Sequence, residues 1–156
     1  MSRAFVKEDV PDTSPLPDLP IPPGPNWVTR SGLASLRERA EARRADLAAL
    51  RTREDRTDRL AEAAAERDLR YLDARLATAT VVEPPKAPEE FAFGTTVTVE
   101  DDDGRARTYR IVGEDEADPA RGWITPQSPL ARALMGLRVG EEAEWRGGTL
   151  LVTALE

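Results

Sequence analysis

Residues 30–80, RSGLASLRERAEARRADLAALRTREDRTDRLAEAAAERDLRYLDARLATAT, decide the architecture. The stretch has no proline and a single glycine, Gly32, near its start. Thr29 or Ser31 can cap a helix there. Apolar residues recur at heptad spacing through Leu33, Leu36, Ala40, Leu47 and Leu50, with Arg43 interrupting the stripe. A second series runs through Ala65, Leu69, Leu72, Leu76 and Ala79. Each series is narrow, as a coiled-coil seam is, and not the broad apolar face of a globular helix. Two such stripes in so short a run predict an antiparallel hairpin of helices, with one continuous helix as the alternative. Arms of equal length place the fold-back at Asp55, inside the wholly polar run Arg53-Glu54-Asp55-Arg56-Thr57-Asp58-Arg59. At 1.5 Å per residue, arms of ~25 residues make a finger of roughly 35–40 Å.

Before the hairpin, residues 1–28 hold seven of the thirteen prolines. That density forbids helix and central strand, so an extended or disordered arm is expected. Leu16, Leu19, Ile21 and Trp27 would let it dock on the rest of the chain or on a partner. After the hairpin (29–82), residues 83–90 read as a proline-stiffened hinge, and residues 91–156 change character. Alternation toward Val97 and Val99, a turn at Asp101-Asp102-Asp103-Gly104, strands over 108–112, 122–125 and 149–155, and a helix over 130–137 predict a small sheet with one helix. Leu130 and Leu134 should face that sheet, and Trp123 and Trp145 should belong to its core. The fold class is α+β: an antiparallel two-helix coiled coil followed by a β-sheet domain.

Net charge is −7, a field that repels naked nucleic acid. Cys and His are both absent, removing disulfides, thiolate metal sites and the commonest general base. No apolar run approaches the ~20 residues that span a bilayer, and the N-terminus lacks a signal-peptide core, so a cytoplasmic protein is expected. The charge is unevenly spread. Residues 30–53 carry seven Arg against three acids, whereas the chain from Pro85 onward carries eight basic against fourteen acidic residues. Arg37, Arg43, Arg44, Arg51 and Arg53 could form a basic face for a phosphate backbone. They could equally make ordinary helix-surface pairs, such as Arg37 with Glu41.

The C-terminal part holds the runs Tyr109-Arg110-Ile111-Val112-Gly113-Glu114-Asp115-Glu116-Ala117-Asp118 and Ser128-Pro129-Leu130-Ala131-Arg132-Ala133-Leu134-Met135-Gly136. In these runs it resembles the GreA/GreB transcription elongation factors. Val139-Gly140-Glu141-Glu142 and Phe93 through Val99 fit in order and spacing, and Val28-Thr29, Gly32 through Leu36 and Ala74 through Val82 resemble the two ends of the family's coil. The resemblance implies an FK506-binding-protein-like C-terminal domain that docks at the secondary channel of RNA polymerase. The coil would enter the channel, with possible contact to nascent RNA. Ser128, Pro129, Arg132, Asp115 and Glu116 are then docking candidates, and Glu54, Asp55 and Asp58 are the tip acids that could assist a polymerase Mg²⁺. The chain would act as a monomeric accessory factor with no cofactor and no stably bound metal of its own. It departs from the family pattern in two places. The tip reads Asp-x-x-Asp without the family's Gly and Asn, and each arm is shorter by about two helical turns, ~10 Å.

Simpler roles stand beside these. Ser128 is a natural helix N-cap, Arg132 could pair with Asp115 or Glu116, and Gly113 and Gly136 suit backbone geometry. Two other functions compete. The Rnk regulators of nucleoside diphosphate kinase share the C-terminal motifs and a short coil. A peptidyl-prolyl isomerase is suggested by fold alone, which is weak ground.

Overall fold

The computed structural model describes residues 15–53 and 59–156. The chain forms a short strand β1 (Trp27–Val28), helix α1 (Arg30–Thr52), helix α2 (Arg59–Thr78) and strand β2 (Thr80–Val81). A mixed-sheet base follows: β3 (Thr96–Asp101), β4 (Ala106–Ile111), a 3-10 turn (Pro119–Arg121), β5 (Trp123–Ile124), α3 (Pro129–Leu134), β6 (Glu142–Trp145) and β7 (Gly148–Leu155).

The two stripes fold back on each other. Leu36, Ala40 and Leu47 of α1 are buried, as are Ala65 and Leu72 of α2. Ion pairs join Arg51 to Glu62 and Glu66, Arg43 to Asp68, and Arg44 to Asp73, so partners move down α2 as they move up α1. That pattern requires antiparallel helices and excludes one continuous helix. Thr29 caps α1, its hydroxyl accepting from the Gly32 N–H at 2.9 Å. Arg43 stays half-buried in the seam it interrupts.

The base has strand order β5-β4-β3-β7-β6, antiparallel except for β4 with β5. Alternation sends Val97, Val99, Ile111, Leu150 and Val152 to one face, where they meet Phe91, Phe93, and Ala131 and Leu134 of α3. Leu130 packs against this core from the side. The Asp101–Gly104 turn closes with the Gly104 N–H on the Asp101 carbonyl at 2.8 Å.

Several sequence expectations need adjusting. The helix read over 130–137 stops at Leu134, because Met135 turns extended and the Gly136 N–H leaves for the Phe91 carbonyl. Gly136 then takes φ +83°, a conformation that suits glycine. Strand β6 is not legible in the sequence, since Glu142, Ala143, Glu144 and Trp145 give too short an alternation. Trp27 and Val28, read as the end of the arm, instead pair in parallel with Thr80 and Val81. Trp123 lies outside the buried core: its ring centre is 3.6 Å from the Arg121 guanidinium carbon and 5.7 Å from that of Arg110. Trp145 does pack against the core.

Candidate functional site: the finger and its joint to the base

The finger meets the base through buried charge. Arg75 sits near the end of α2, one turn past Leu72, and is only 2% exposed. Its Nε donates to the Asp115 carboxylate at 2.6 Å, and the two side chains are 3% and 8% exposed. The Tyr71 hydroxyl donates to the other oxygen of Asp115, also at 2.6 Å. Each carboxylate oxygen thus accepts from one donor, and both donors stand on one face of α2, since residues four apart on a helix share a face. Burial, and then the hydrogen bond to Asp115, push the Tyr71 phenol up to about 12.

The next residue ties down the other helix. Glu116 accepts from the Thr29 hydroxyl and, at 2.6 Å, from Ser31, which places a carboxylate over the first turn of α1. That position suits the positive end of the helix dipole. Gly32 makes room for it: a Cβ there would lie 2.7 Å from Glu116 Oε2. Gly113 plays the same part for β1, because a Cβ there would lie 2.6 Å from the Trp27 carbonyl oxygen. Asn26 closes the joint from behind, donating to the Arg75 carbonyl at 2.8 Å and to Thr78 at 3.1 Å.

Two of the docking candidates make contacts within the chain. Asp115 and Glu116 both serve the joint, the Asp115 side chain 8% exposed and Glu116 half-buried. Arg132 pairs with neither: its Nη2 donates to Gln127 at 3.0 Å and it remains exposed. Ser128 is the N-cap of α3, accepting from the Ala131 N–H at 3.2 Å, and Pro129 is the first helical residue.

The basic face is also redistributed. Arg43, Arg44 and Arg51 are spent on acids: Arg43 on Asp46 and Asp68, Arg44 on Glu41 and Asp73, and Arg51 on Glu62 and Glu66. Glu41 therefore pairs with Arg44 and not with Arg37. Arg37 and Arg53 are exposed. The charge along α1 alone does not show this pairing, because hairpin closure brings the acids of α2 to the arginines of α1. The tip acids Glu54, Asp55 and Asp58 lie outside the described residues. Among the described residues no cluster of three or more carboxylates forms a metal-binding group.

Arg75 and Tyr71 hold the joint, and the sequence expectations name neither of them for it. The available signal was a guanidinium placed three residues after Leu72 and beside Leu76, on the apolar stripe of α2. A charge there requires a buried partner.

A helical finger pinned by buried charge to a small mixed-sheet base defines an arm-and-base protein. The family model described as transcription elongation factor, GreA/GreB, C-term matches residues 85–155. The chain is 37% identical over 135 residues to transcription elongation factor GreB of Pasteurella multocida (strain Pm70), covering 75% of this chain and 84% of that protein. It is 49% identical over 75 residues to GreA of Hyphomonas neptunium (strain ATCC 15444), covering 47% and 48% of the two chains. The chain belongs to the GreA/GreB family of transcription elongation factors. Among solved structures, GreA factor homolog 1 (Gfh1) of Thermus thermophilus aligns at 23% identity and a TM-score of 0.39, covering 85% of this chain and 99% of that one. Family membership rests on the sequence matches and not on that superposition. It favours the elongation-factor reading over a kinase regulator of the Rnk kind. No helix among the described residues is long and apolar enough to cross a membrane.

Proposed function

We propose that this chain binds RNA polymerase at its secondary channel, with the base docked at the channel mouth and the finger directed inward, and that it modulates elongation from there. The observation that carries the reading is the Arg75–Asp115 joint in a chain of this family: a finger held to its base by a buried pair transmits the position of a docked base to its tip. Ser128, Pro129 and Arg132 at the start of α3 are the docking residues this reading keeps, and Arg37 and Arg53 are the coil residues available to polymerase or nascent RNA. The chain acts as an accessory factor, and any RNA cleavage belongs to the polymerase and its own Mg²⁺.

Helix α1 has 23 residues, which at 1.5 Å each gives about 35 Å. Magnesium takes its ligands at about 2.0–2.1 Å, so at the family's docking depth a finger two helical turns shorter, ~10 Å, supplies none, and only deeper docking would compensate. Occupation of the channel without stimulated cleavage is therefore the favoured mode.

The test is a stalled, backtracked elongation complex given Mg²⁺ and the full chain. The expected result is binding to polymerase and a changed elongation rate, with RNA cleavage no faster than the polymerase achieves alone. Absence of binding overturns the reading. Cleavage that is stimulated, and then lost in Asp55→Ala/Asp58→Ala, would replace channel occupation with assistance from the tip.

A further inference from the structure

Residues 15–23 read Pro-Leu-Pro-Asp-Leu-Pro-Ile-Pro-Pro. Proline fixes its own φ near −65° and pushes the preceding residue toward extended geometry. In this run only Asp18 is neither a proline nor followed by one. The local chemistry therefore specifies a left-handed polyproline helix, with three residues per turn. Exposure has the same period: Leu16, Leu19 and Pro22 are half-buried, while Pro15, Pro17, Asp18, Pro20, Ile21 and Pro23 are exposed. Shielding at every third residue means that one edge of such a helix lies on a surface.

That surface is the root of the finger. Leu19 lines a groove of about 290 Å³ between the two helices, together with Ala42, Arg43, Tyr71 and Leu72. The groove opens where Arg43 interrupts the coiled-coil seam. Leu19 brings an apolar side chain to the place where the heptad pattern omits one. Arg70 fixes the register, donating from Nε to Asp18 at 2.6 Å and from Nη2 to the Leu16 carbonyl at 3.1 Å. A polyproline helix makes no internal hydrogen bonds, so its carbonyls are free to be read in this way. Pro22 reaches the level of Arg75, at the joint.

We infer that the groove between α1 and α2 is a binding site for a polyproline-type segment bearing leucines three residues apart with an acid between them, and that the chain's own residues 15–23 are its ligand. The root of the finger is then a three-element assembly, with the arm as a strap across the weak point of the seam. This is independent of whether the finger enters a polymerase.

Backbone ¹⁵N relaxation on the full chain tests it. The Asp18, Leu19 and Ile21 amides should show order parameters near the ~0.85 of rigid backbone. Arg70→Asp and Leu19→Ser should each drop them below ~0.6, the flexible range. The charge swap Asp18→Arg/Arg70→Asp should recover order that Arg70→Asp loses. Helical circular dichroism should not change, since Arg70 is exposed. Arm amides below ~0.6 in the unsubstituted protein would overturn the inference. So would an arm that stays rigid in Arg70→Asp and Leu19→Ser alike.

Discussion

Arg75 of α2 and Asp115 of the loop after β4 form an ion pair at 2.6 Å, forty residues apart in sequence and almost completely shielded from water. Charges taken out of water are tolerated only with good geometry and further hydrogen bonds, and Tyr71 supplies one of these. Removing one partner leaves the other buried and uncompensated. Asp115→Ala or Arg75→Ala should therefore cost about 3–5 kcal/mol by chemical denaturation. Replacing both residues with leucine should recover most of that loss, because no lone charge remains. A single substitution that costs less than about 1 kcal/mol would mean that the pair is hydrated in solution.

Burial of Tyr71, with its hydrogen bond to the same carboxylate, predicts an alkaline transition. In the unfolded chain Tyr71 titrates near 10, and in the fold it is pushed up to about 12. The neutral phenol is favoured by the fold, so the contribution is complete below pH ~10 and is lost as pH rises from there toward 12. Stability measured across that window should fall more steeply for the natural chain than for Tyr71→Phe. Tyrosinate absorbance should also show a late-titrating component that Tyr71→Phe lacks.

Pairs along the finger should behave differently from the joint. Arg44 and Asp73 have side chains 43% and 48% exposed, where water and salt screen their attraction. Arg44→Ala should change stability by no more than about 1 kcal/mol, and less at high salt. Leu36→Ala, at a seam position only 1% exposed, should cost about 2–5 kcal/mol. Denaturation of the two variants at low and high ionic strength compares charge with packing directly.

Gly113 tests how closely the finger sits on its base. A methyl group there would come within 2.6 Å of the Trp27 carbonyl oxygen, which is backbone and cannot swing away. Gly113→Ala should displace β1 and destabilise the protein by about 1–3 kcal/mol, the usual range for overpacking. Hydrogen exchange should locate the damage at the Thr80 and Val82 amides, which donate to Asn26 and Val28 at 2.9 and 3.0 Å.

The sequence by itself determined the elements whose cause is local. The stripes through Leu36 and Ala40 and through Ala65 and Leu72 made two helices. Asp101–Gly104 made a turn, Ser128-Pro129 started α3, and the motif run from Tyr109 through Gly136 carried the family. The tertiary structure decided which charges are spent and which are free. Asp115 and Glu116 look like surface acids in a polar motif, yet the fold turns them onto Arg75, Tyr71, Thr29 and Ser31. Arg43, Arg44 and Arg51 look like a basic face until α2 closes over them with its own acids. Periodicity reports which side of one element is apolar. The partner of a charge depends on which distant element arrives there, and that is settled only when the hairpin folds back and seats on the base.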